Sequence, residues 1–249
     1  MLFEDIPIIF KNKIKEYLNK LFNTIKINGN YLSLNGRLAP KNIKTQHHKF
    51  IIGSEKHINL MIELYYLLYI FHEFSLTKNI LYSITAGNLL GYYDGGDMLL
   101  WDDDIDILIN DVNSFKIIMN LWNNGETSYD IWDKNWSYKN INIYSKNIIL
   151  LKANNNFFKI KLNSNVGRKG SQKDIGGLDI INPHGIRQKI PKEIKDIVFN
   201  EKDENDEKYQ ITNYGPIQTR ILKKEFAILL LNGFYGINNW NKKIHPSLH

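Results

Sequence analysis

The segment Trp101-Asp102-Asp103-Asp104-Ile105-Asp106-Ile107 places four carboxylates within five positions, between an aromatic residue and the apolar run Ile107-Leu108-Ile109. The apolar flank predicts a buried strand beginning near Leu99, and in a strand alternate side chains share a face. On that reading Asp102, Asp104 and Asp106 point one way while Ile105 and Ile107 enter the core. Anions held that close repel one another, and burial without partners costs several kcal/mol or forces protons onto them. A divalent cation resolves the conflict, so the segment is a candidate metal site. The spacing also opens like a calcium loop, D-x-D-x-D. The glycine and glutamate that such a loop needs at its sixth and twelfth positions are Ile107 and Asn113 here, which argues against structural calcium.

The flanking elements must position these acids. Upstream, residues 57–74 read as a helix apolar on most of its circumference, and Ile80–Thr85 as a strand. That strand runs into Ala86-Gly87-Asn88-Leu89-Leu90-Gly91, and a glycine at a strand-to-helix turn is an arrangement that can cradle phosphate. Downstream, residues 114–123 read as a helix and 129–151 as meandering strands. Phe157–Leu162 alternates as a strand, followed by a basic loop at Gly167–Gly170, and Gly177–Ile181 reads as a strand carrying the single acid Asp179. An apolar helix is expected over 219–235. At the start of the chain, residues 10–27 have helical spacing, and Asn28-Gly29 and Asn35-Gly36 mark turns of a small hairpin. His47 and His48 are neighbours, which on a strand point apart, and read as surface residues.

A Gly-containing strand–helix turn, then Asp-Ile-Asp on a strand, then a lone Asp on a later strand is the order expected of a metal-dependent nucleotidyltransferase fold. Two carboxylates at i and i+2 with a third from a neighbouring strand can hold one or two Mg²⁺ ions, and the third acid is the natural general base. Gly87-Asn88-Leu89-Leu90-Gly91 followed by W-D-D-D-I-D-I resembles the LicD/fukutin family of phosphotransferases, whose pattern runs G-T-L-L-G, a short loop, then P-W-D-D-D-I-D. Leu178-Asp179-Ile180 is similar to a later segment of that family, and Ile190–Ile194, Gly215-Pro216, Tyr235-Gly236 and Trp240 to its closing elements.

The resemblance implies an α/β fold, a polymerase-β-type nucleotidyltransferase-like mixed sheet flanked by helices. It places a catalytic domain at 57–249 behind an N-terminal extension, 1–56. It implies a Mg²⁺- or Mn²⁺-dependent transferase that moves a phospho-alcohol, such as phosphocholine or ribitol phosphate, from a CDP-alcohol donor to a sugar hydroxyl of a glycan. Asp104, Asp106 and Asp179 would be both catalytic residues and metal ligands, with Asp102 orienting the site from behind. Gly87, Asn88, Lys161 and Arg168 would bind the nucleotide-linked donor. Three positions depart from the family pattern: Asn88 replaces Thr, Asp94 replaces Arg, and Leu100 replaces Pro. Lys159, Lys161, Arg168 and Lys169 could supply phosphate-binding charge in place of that Arg, although such residues ordinarily sit exposed. Transfer of a nucleotide from an NTP to a small molecule, protein or RNA end is the alternative reaction. A non-catalytic nucleotide- or glycan-binding relative is a third reading, which the retention of all three acids opposes.

Bulk properties fit. With 249 residues the chain can bury a full core. It has no cysteine, which excludes disulfides, thiolate metal sites and a thiol nucleophile. The longest apolar stretch, Leu60 to Phe74, is broken by Glu63, His72 and Glu73, so no transmembrane segment is expected, and no secretory signal opens the chain. A soluble, cytoplasmic protein is the expectation. The net charge of +6 comes from scattered lysines in an Ile-, Asn- and Lys-rich chain, without the clustered basic surface of a nucleic-acid binder, so nucleic acid is not the expected partner.

Overall fold

The computed structural model describes residues 6–28, 31–34, 37–40, 42–44, 49–109, 111–127, 137–144, 146–162, 176–182, 191–198, 206–237 and 239–240. The first helical pattern forms α1 (Ile8–Phe22), which buries Ile14 and Leu18. It stops short of residue 27 because Thr24 turns back onto the Leu21 carbonyl through both its amide and its hydroxyl, and the chain continues as a strand. Strands β1 (Lys26–Asn28), β2 (Tyr31–Leu34) and β3 (Arg37–Pro40) form a small antiparallel sheet, and β4 (Asn42–Lys44) pairs with β5 (Lys49–Ile51). Gly29, Asn35, Gly36, His47 and His48 lie outside the described residues. The pairings Asn28↔Tyr31 and Leu34↔Arg37 bracket the two Asn-Gly positions.

The long helix α2 (Glu55–Lys78) is apolar on nearly every side and forms the centre of the core. Ser54 caps its start by accepting from the His57 amide, and Asn79 ends it in the left-handed region at φ 52°. α1 lies against it, with Phe10 edge-on to Tyr66 and Tyr17 edge-on to Tyr65.

The chain then runs through β6 (Tyr82–Ile84), α3 (Ala86–Gly95), β7 (Ile105–Ile109), α4 (Val112–Asn124), β8 (Glu126–Thr127), β9 (Ser137–Ile143), β10 (Lys146–Asn154), β11 (Phe157–Leu162) and β12 (Leu178–Ile181). The strands build one seven-stranded mixed sheet in the order β6-β7-β12-β11-β10-β9-β8. Every pairing in it is antiparallel except β7 with β12, which is parallel. Phe158 on β11 meets Phe115 and Trp122 of α4 on one face of the sheet. By the alternation of a strand, Lys159 and Lys161 look to the opposite face. After α5 (Lys192–Val198) the hairpin β13 (Tyr209–Tyr214) and β14 (Ile217–Leu222) packs on β6 and α2, and α6 (Lys224–Tyr235) closes the described fold. This is the mixed sheet flanked by helices that the sequence led us to expect. No helix among the described residues is long and apolar enough to cross a membrane.

Two further elements differ from the sequence reading. The acidic strand begins at Ile105, not Leu99, and Asp102–Asp104 lie on the connection before it, where the Asp102 amide turns back to the Leu99 carbonyl. The expected helix over 219–235 is a strand up to Leu222 and helical only from Lys224. Gly215, at φ 53°, makes the tight turn that pairs Thr219 with Thr212, so ladder pairing overrides the apolar run.

Candidate active site

Asp106 on β7 and Asp179 on β12 are direct partners across the parallel pairing, so their side chains leave the same face of the sheet. Asp104 joins them from the connection just ahead of β7. Carboxylate oxygens of these three residues lie within 4.8 Å of one another, and Asp102, Asp103 and Asp104 form a second such group that shares Asp104. All the donors are hard carboxylate oxygens, the set that suits Mg²⁺ or Mn²⁺.

The electrostatics are those of a site short of positive charge. Asp179 is pushed up to about 7, by burial first, with Asp104 adding to it and Lys159 opposing. Asp106 lies well above the usual carboxylate range through burial and the charges of Asp104, Asp179 and Asp102. Asp102 is raised in the same way by burial, Asp104 and Asp103. Asp104 is raised by burial against the pull of Lys159 and Lys161. Each of these carboxylates is costly as an anion in the bare protein, and a divalent cation would remove that cost, so the residues fit a metal.

The connection carrying Asp102 and Asp104 is held by Asn88. Its side-chain nitrogen donates to the Asp104 carbonyl at 3.2 Å and to Asp102 Oδ2 at 3.3 Å, and its oxygen accepts from the Asp106 amide at 2.6 Å. Asn88 is fully buried, and Tyr214 donates to its own carbonyl. The Asp106 carbonyl accepts from the Thr85 amide, so the backbone of this acid is fixed on both sides. A Cβ at Gly87 would stand 2.5 Å from Asp102 Oδ2, and one at Gly91 would collide with the Asp97 carbonyl and the Leu99 amide. Both glycines of the G-N-L-L-G block thus let α3 lie directly on residues 97–102. Ala86, at the head of α3, has φ 47°, a strained value for a residue with a Cβ.

Lys161 is buried on the acid-bearing face, and its charge lowers Asp104 and Asp179. Arg168 and Lys169 lie outside the described residues. Lys159, which the sequence reading left among ordinary exposed lysines, is only 7% exposed, and its Nζ stands 3.0 Å from Asp179 Oδ1. The signal was present in Phe157–Leu162, where lysines alternate with Phe158 and Ile160 on a strand too apolar to be an edge.

His57 was not singled out from the sequence. Its Nδ1 accepts from the Gly53 amide at 3.0 Å and its Nε2 lies 2.7 Å from the Leu100 carbonyl, so the neutral ring donates there and ties the start of α2 to the acidic segment. Burial pulls its pKa down to about 4. Behind the segment, Asp97 accepts from Tyr17, Tyr65 and the Met98 amide. It borders a pocket of about 50 Å³ whose wall includes Asp94, which is in neither converging group of acids.

Residues 79–175 match the family model described as the LicD/FKTN/FKRP nucleotidyltransferase domain. That stretch resembles a LicD-family domain. It spans α3, the acids up to Asp106, and both Lys159 and Lys161, and it ends just before Asp179. The matched stretch carries six of the seven strands of the mixed sheet, β6 to β11. Among solved structures, the chain is similar to an antigenic nucleotidyltransferase-like protein from Paracoccidioides brasiliensis, at 12% identity and a TM-score of 0.31. The match covers 67% of this chain and 63% of that one, so the chain spans under two thirds of that protein's length. No curated protein matches it.

Proposed function

We propose that this LicD-family chain is a divalent-metal-dependent phosphotransferase, moving a phospho-alcohol from a CDP-linked donor to a sugar hydroxyl of a glycan. The observation that carries the reading is the convergence of Asp104, Asp106 and Asp179 from two parallel strands and the connection before them. Mg²⁺ or Mn²⁺ held by these three would neutralise the acids and polarise the phosphoryl group under attack. Asp179, the partner of Asp106 across the parallel pairing, would take the proton of the acceptor hydroxyl. The acceptor oxygen then bonds to phosphorus as the diphosphate P–O bond breaks, and CMP leaves. Gly87 at the start of α3 packs against Asp102, and the amides of that helix start would receive the donor phosphates beside the metal. Asn88 holds the acids in register, and the buried charge of Lys161 adds attraction for phosphate.

The test is product release. The protein is incubated with Mn²⁺, a panel of CDP-alcohols and NTPs, and candidate glycan acceptors. CMP release dependent on a CDP-alcohol supports the proposal, whereas pyrophosphate release from an NTP would replace it with nucleotidyl transfer. Asp106→Asn is expected to lower turnover by orders of magnitude, since metal assistance carries much of the chemistry of phosphoryl transfer.

A further inference from the structure

Lys159, Asp179 and Asp106 form a row across three neighbouring strands. Lys159 pairs with Asp179 in the antiparallel ladder of β11 and β12, and Asp179 pairs with Asp106 in the parallel ladder of β12 and β7. Asp179 is therefore claimed from both sides. Lys159 Nζ holds its Oδ1 at 3.0 Å, while the same carboxylate belongs to the trio with Asp104 and Asp106. The lysine's place is built into the fold: a Cβ at Gly177 would press on Lys159 Cγ and Cδ at 3.2 Å, so the bare glycine makes room for its stem. A dication bound by the trio takes up the charge of Asp179. It also brings two positive groups onto one carboxylate, which disfavours both. An ammonium this deeply buried cannot be left without an anion, and the anions that arrive with the donor are its phosphates.

Resting on the metal-dependent reading above, we propose that Lys159 is an exchange cation and a donor-phosphate ligand. It neutralises Asp179 in the metal-free protein and passes to the donor diphosphate once the metal takes Asp179. The lysine thus competes with the metal before the donor binds and assists donor binding afterwards.

Mn²⁺ affinity of the whole chain is measured by calorimetry for wild type and Lys159→Met, a neutral side chain of similar length. Pyrophosphate binding to the Mn²⁺-loaded forms is measured alongside. The variant is expected to bind Mn²⁺ at least about tenfold more tightly, because a competing charge is gone, and pyrophosphate at least about tenfold more weakly. Unchanged or weaker Mn²⁺ binding by the variant overturns the exchange role, and unchanged pyrophosphate binding overturns the phosphate role. Wild-type protein that binds no Mn²⁺ sinks the metal-dependent reading along with this inference, so the two failures are distinct. A crystal structure of the unaltered chain with Mn²⁺ and pyrophosphate decides the matter even where Lys159→Met does not fold. Lys159 Nζ on a phosphate oxygen supports the exchange, and Nζ still on Asp179 Oδ1 refutes it.

Discussion

Asparagine in place of Asp106 keeps the shape of the side chain and discards its charge, which separates the two jobs a buried acid can do. In the metal-free protein Asp106 stands among Asp102, Asp104 and Asp179 and is held above its ordinary pKa by burial and by their charges. Removing its charge relieves repulsion. The metal-free Asp106→Asn protein should therefore melt at the same temperature as wild type or a few degrees higher, while CMP release collapses. A structural-calcium site requires the reverse, with melting temperature lost on chelation by EDTA and turnover retained, and paired unfolding and turnover measurements separate the two. His57 acts in the opposite sense. Its folded pKa of about 4 lies below the unfolded value, so the unfolded chain binds the extra proton between about pH 6.5 and 4. The stability it contributes is whole above that window and is lost as pH falls through it. Wild type should lose about 3 kcal/mol relative to His57→Gln across the window in denaturant unfolding. Equal slopes for the two proteins would show that the ring does not hold the Leu100 carbonyl as a neutral donor.

At the scale of elements, α3 and the segment 97–104 act as one piece, because two glycines and one asparagine let helix and connection touch. Gly87→Ala forces a methyl into the Asp102 carboxylate. It should destabilise the fold by about 1–3 kcal/mol and weaken Mn²⁺ binding, read by thermal unfolding and by calorimetry. A variant that melts like wild type would show that Asp102 can step aside freely. The same contact explains what could be read from the sequence. The acids, their order and the later Asp179 were legible because clustered carboxylates beside β-branched apolar residues admit few arrangements. The start of the strand was not, because Asp102–Asp104 take their backbone partners from Asn88 and from turns, and these contacts leave no periodic signal. Residues 219–222, the end of β14, read as helix for a related reason. Its partner is fixed by the turn at Gly215, and an apolar run with Thr219 and Ile221 fits either element. The N-terminal helix was legible, but not the reach of Tyr17 to Asp97, far along the chain.

For the molecule as a whole, the carboxylate cluster couples stability to pH, and under the proposed function to metal as well. Asp179 sits at about 7, above its unfolded value, so the folded protein binds the extra proton between about pH 4 and 7. In the absence of metal, stability from this group is present at low pH and is lost as pH rises through 7. A metal at the trio would take the deprotonated form and reverse the dependence. Mg²⁺ at about a hundredfold excess over its Kd should raise the melting temperature by about 5–10 °C at pH 8, and the gain should vanish by pH 5. A gain independent of pH would place the cation elsewhere. The parallel pairing of β7 with β12 has a further consequence, which concerns the order of folding. Asp106 and Asp179 lie roughly seventy residues apart, and only this pairing brings them together, after the local hairpins of β9, β10 and β11 can already have formed. A metal held by these acids could not serve as a template for the early chain. A metal at the trio would meet its third ligand only when that long-range pairing is made, so a loaded site would mark a sheet that has closed, and a nascent chain released before Asp179 would carry the motif without the centre.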